Sequence, residues 1–152
     1  MTVQRSISSS VHEAFSGDSI MPSRRAFLAL TAVAITAPLS ARAGTLGSFT
    51  NEAFQKAQQA GHPILIDISA TWCPTCKAQE PIIKTLTSRE PYAGFVVLKV
   101  DFDDQQQIVR EFGARSQSTL IVFKGSQEVA RSVGSTDPAA IEAMLAKALN
   151  AS

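Results

Sequence analysis

The sequence predicts an α/β domain with a mixed central sheet and helices on both faces. Two observations carry this: strand-length apolar runs alternate with helix-length segments, and the last two runs are joined by a turn. The first pattern implies parallel crossovers, and the second adds an antiparallel hairpin at the end.

Taken in order, residues 44–50 are small and polar, suited to a short connector or an edge strand. Thr50 N-caps a helix over 51–60, with Ala53, Phe54 and Ala57 on one face, which Gly61 ends ahead of Pro63. "PILIDIS" (63–69) is an isoleucine-rich buried strand. A helix then starts at Cys73 and Cys76 and runs to about Arg89, kinked by Pro81. "FVVLKVDF" (95–102) is the next strand, and "DDQQQIVREFG" a short helix closed by Gly113. Residues 118–123 and 128–133 form the hairpin. Asp137 caps a final helix, with Pro138 at its first position, running to about Asn150.

The chain has 152 residues, with 14 basic and 13 acidic side chains and no basic stripe, which argues against a nucleic-acid partner. Residues 1–43 read as an export signal. Arg24 and Arg25 precede an uncharged run from Ala26 to Ala41, then Ala41-Arg42-Ala43 supplies an A-x-A cleavage site. The run is shorter than the ~20 residues that span a bilayer, so no stable membrane insertion is expected after cleavage. Ser23-Arg24-Arg25-Ala26-Phe27-Leu28 resembles the twin-arginine export motif, which points to the periplasm. Residues 1–20 are polar and unlike an n-region, which favours Met21 as the true start. Residues 44–152 are then one small domain.

Cys73 and Cys76 are the chain's two cysteines, and they admit three readings. A static staple over so short a loop stabilises little. A metal site needs more ligands than two thiols and His62, the histidine left after cleavage, although two chains sharing their thiols could assemble one. Thiol–disulfide exchange needs a strand that delivers the first thiol to a helix N-terminus, where free N–H groups favour a thiolate. The strand 63–69 and the helix after it supply that context.

"ILIDISATWCPTCK" resembles the active-site segment of the thioredoxin family. Trp72 precedes the first cysteine, Lys77 follows the second, and Asp67, Pro81, Lys99 and Gly134 fall at matching positions. The resemblance covers about residues 51–149 and implies a thioredoxin fold and a thiol–disulfide oxidoreductase without a cofactor. It implies a redox-active Cys73–Cys76 disulfide, with Cys73 the exposed nucleophile and Cys76 the resolving thiol, one turn deeper. Asp67, buried and with a raised pKa, would carry the proton of Cys76, and Lys99 would moderate it. Trp72, Pro74, Thr75, Gln117 and Ser118 would meet the protein substrate, whose thiols or disulfides are the implied partner.

Two departures stand out. Ser118 occupies the position of the family's cis-proline. The Gln117–Ser118 bond is therefore either cis, at about 2.5–4 kcal/mol, or relaxed to trans. The substitution also opens space beside Cys73, which keeps the alternative of a dimeric metal or iron–sulfur cluster binder using both cysteines. Pro74-Thr75 lacks the histidine of strongly oxidising members. With Asp67 kept, that tilts the expectation to a reductase or isomerase-side partner; a monomer is expected, and a reductive role would require a membrane electron donor. Elsewhere, His62 reads as a solvated turn residue, Glu80 as a helix-surface charge, and the acids of "DFDDQQQ" as a helix start rather than a calcium loop.

Overall fold

The computed structural model describes residues 45–150. The export signal and cleavage site expected over residues 1–43 lie outside them. The order is β1 (Thr45–Ser48), α1 (Asn51–Gln59), β2 (Pro63–Ser69), α2 (Pro74–Thr87), β3 (Val96–Asp101), α3 (Gln106–Glu111), β4 (Thr119–Lys124), β5 (Gln127–Val133) and α4 (Pro138–Asn150). The five strands form one sheet in the order β1-β3-β2-β4-β5. β1, β3 and β2 are parallel, while β4 runs antiparallel to β2 and β5 antiparallel to β4. This is the mixed sheet expected.

The strand at the centre explains the layering. Side chains alternate between the two faces of a strand, so β2 sends Ile64, Ile66 and Ile68 one way and Leu65 and Asp67 the other. The isoleucines pack with Phe49, Ala57, Leu98, Val109, Ile121 and others, under α1 and α3. Leu65 joins Ile83 and Leu86 of α2 and Ile141, Met144 and Leu145 of α4. Each fully buried Leu or Ile contributes about 1.5–3 kcal/mol. Asp67 is the charged residue of this largely apolar strand and lies on the α2 side.

The first segment is the edge-strand alternative, paired with β3, with all four residues exposed. α3 starts later than expected. The Asp101 carboxylate accepts the N–H groups of Asp103 and Asp104 at 2.9 and 3.0 Å, which holds residues 102–105 in a turn. The acids of "DFDDQQQ" therefore belong to that turn, and the first turn of α3 carries none. β4 and β5 close through Gly125-Ser126, with Gly125 at φ 56°, where a side chain would be strained.

Candidate active site

The chain leaves β2 through Ala70-Thr71-Trp72 and enters α2 at Cys73. The Cys73 N–H donates to the Ala70 carbonyl at 3.2 Å, closing the turn. Cys73 is the extended N-cap, Pro74 occupies the first turn, and the Cys73 Sγ accepts the Cys76 N–H at 3.0 Å. A sulfur stands where a serine or aspartate oxygen usually caps a helix. There it meets the positive end of the helix dipole. Cys73 and Cys76 are joined in a disulfide, their Cα atoms 5.3 Å apart.

Exposure does not rank the two sulfurs as expected. Cys73 is 1% exposed and Cys76 7%, so in the disulfide form the first cysteine is not the open one and its mate is not deeper. The capping bond is what tells them apart. Ala70 and the half-buried Phe102 pack around the pair. Trp72 stands outside, exposed, its indole N–H donating to the Asp103 carboxylate at 2.7 Å. Pro74 is exposed, while Thr75 and Gln117 are half-buried.

Ser118 is the residue that faces the sulfurs. Its Oγ lies 3.2 Å from the Cys73 Sγ and 3.5 Å from the Cys76 Sγ. The cis peptide bond among the described residues is Glu90–Pro91, so Gln117–Ser118 is trans. The relaxed alternative holds, but Ser118 takes φ 60°, a left-handed conformation that costs a residue with a Cβ about 1–2 kcal/mol.

Asp67 and Lys99 are direct partners across β2 and β3. With Glu80 of α2 they line a cavity of about 220 Å³, closed also by Ser48 and Ile83. Asp67 is buried, and its Oδ1 has no hydrogen-bond partner. Burial raises its pKa to about 6; Lys99 pulls the value down and Glu80 pushes it up. Lys99 Nζ lies 3.7 Å from Glu80 Oε2, both side chains exposed. Glu80 is thus part of this cluster and more than a surface charge. Neither cysteine lines the cavity, so Asp67 and Cys76 do not meet there.

Sequence reasoning passed over Gln79. It is fully buried, and its Nε2 donates to the carbonyls of Ser118 at 3.3 Å and Ser135 at 2.8 Å. The signal was its place on the stripe Cys76, Gln79, Ile83, Leu86, the buried face of α2.

The family model for thioredoxin matches residues 45–147. The chain belongs to the thioredoxin family. A thioredoxin from Alicyclobacillus acidocaldarius is 34% identical over 103 residues, 67% of this chain and 96% of that protein. Thioredoxin Asp f 29 of Aspergillus fumigatus is 34% identical over 85 residues, 56% of this chain and 77% of that protein. Among solved structures, Trxlp from Edwardsiella tarda shares 39% identity at a TM-score of 0.65, covering 66% of this chain and 98% of that one. The thioredoxin fold and the C-x-x-C pair make the protein a thiol–disulfide oxidoreductase acting on protein thiols and disulfides.

Proposed function

We propose that this thioredoxin-family protein works as a periplasmic reductase, with Cys73 as nucleophile and Cys76 as resolving thiol. The observation that carries the assignment is the Cys73 sulfur capping α2 at 3.0 Å from the Cys76 N–H. That position favours a thiolate on Cys73 once the disulfide opens. The Cys73 thiolate attacks a substrate disulfide, forming a mixed disulfide and releasing one substrate thiolate. Cys76 then gives its proton to the Asp67 carboxylate, through water, and attacks the Cys73 sulfur. The Cys73–Cys76 disulfide forms, the second substrate thiolate leaves, and two electrons have passed to the substrate.

A carboxyl with a pKa of about 6 is charged enough at neutral pH to accept that proton and basic enough to hold it. Lys99, bridged to Glu80, moderates its charge. Trp72, Pro74 and Thr75 border the pair and meet the substrate chain, with Gln117 and Ser118 opposite. The paired arginines and the A-x-A site support export, and the absence of histidine between the cysteines supports the reductive direction. In that compartment the monomer draws electrons from a membrane dithiol donor.

Reduction potential against glutathione tests the direction. A value near −270 mV supports a reductase, and one near −120 mV overturns it. Cys73→Ser is expected to abolish insulin reduction. Cys76→Ser retains the first step and accumulates the mixed disulfide, visible by mass spectrometry. A coloured, chelator-sensitive dimer on purification would favour the two-chain metal reading instead.

A further inference from the structure

Ser118 sits in a backbone conformation that favours glycine, at φ 60°, yet it is buried and carries a hydroxyl. Two donors hold its carbonyl: the Gly134 N–H at 2.9 Å and the Gln79 Nε2–H at 3.3 Å. Gln79 also donates to the Ser135 carbonyl at 2.8 Å, tying two loops to α2. It lies three residues after Cys76 on the buried face of that helix. The helix that carries the sulfurs therefore also fixes the loop whose hydroxyl lies 3.2 Å from the Cys73 Sγ.

A disulfide sulfur is a weak acceptor. When a dithiol donor supplies two electrons and a proton enters, the S–S bond breaks, Cys73 keeps the negative charge and Cys76 keeps the proton. A thiolate accepts charge-assisted hydrogen bonds, which are the strong ones. We propose that Ser118 is a positioning residue whose O–H donates to the Cys73 thiolate, stabilising the reduced form, and that Gln79 holds the loop so that it can. The Cys76 N–H is the first donor to that sulfur, and the hydroxyl becomes the second. The titratable groups on the surrounding elements include Asp67 on β2, Lys77, Glu80 and Lys84 on α2, Lys99 and Asp101 on β3, Asp103 and Asp104 beyond it, and Arg115 before Ser118. Of these, Asp67 alone is buried. The inference rests on Cys73 being the nucleophile.

Ser118→Ala and Ser118→Gly separate the hydroxyl from the backbone. Both remove the O–H, but glycine relaxes the left-handed φ and alanine does not. Alkylation of the reduced full chain, followed against pH with the modified cysteine identified by mass spectrometry, is expected to show the same shift in both. The apparent pKa of Cys73 rises by about one unit, a roughly ten-fold loss of thiolate below it. The equilibrium with glutathione moves several-fold toward the disulfide in both, while urea unfolding finds the glycine variant more stable than the alanine one. Gln79→Met shifts the titration in the same direction by less. If Ser118→Gly titrates and equilibrates as wild type, the hydroxyl has no such role and the inference fails alone. If wild-type alkylation falls first on Cys76, the assignment of Cys73 fails with it.

Discussion

Asp67 stands between Ile66 and Ile68, and ionising it there gives up hydration that its unpartnered Oδ1 does not regain. Its folded pKa of about 6 lies above the ordinary value of 3.8. The folded state then binds more protons than the unfolded one between these values. The contribution of Asp67 to stability is greatest below about pH 4, falls as pH rises through the window, and is lowest above about pH 6. The difference is on the order of 3 kcal/mol. Asp67→Asn removes the ionised form, so urea unfolding at pH 8 is expected to show a more stable protein, with the gain vanishing near pH 4. Turnover should fall, since the amide takes no proton from Cys76. Glu80→Gln removes the charge that pushes Asp67 up, so the midpoint of that pH dependence should move down. Overall stability should change by less than about 1 kcal/mol, because the Glu80–Lys99 pair is exposed.

At the scale of elements, helix ends show how local chemistry sets boundaries. The Asp137 carboxylate accepts the N–H groups of Ala139 and Ala140, both at 3.2 Å, at the start of α4. Asp137→Ala is expected to cost about 1 kcal/mol, read as a lower urea midpoint with an unchanged slope. That cap was legible in the sequence, as were β2, the start of α2 and the hairpin, because Gly, Pro and capping residues punctuate the chain where the periodicity changes. The start of α3 was not, because a carboxylate reaching two or three residues forward competes with helix. Thr45–Ser48 carries no alternation, so only its pairing with β3 makes it a strand. Cys73, Cys76, Asp67 and Lys99 could be named from the motif and its spacing. The role of Gln79 could not, since its partners Ser118 and Ser135 come from loops 39 and 56 residues away.

For the whole molecule, β2 joins two cores that meet through a single sheet. Leu65 and Ile66, adjacent in sequence and each fully buried, serve opposite layers. Leu65→Ala and Ile66→Ala are each expected to cost about 2–5 kcal/mol in urea unfolding. Only the first opens space on the face that α2 covers, so it should also slow insulin reduction.

Trp72, the sole indole of the chain, projects into solvent one residue from the disulfide. Disulfides quench nearby indole emission, so the protein carries its own optical gauge of oxidation state. Brightening on addition of dithiothreitol would follow the reaction in real time, without a label.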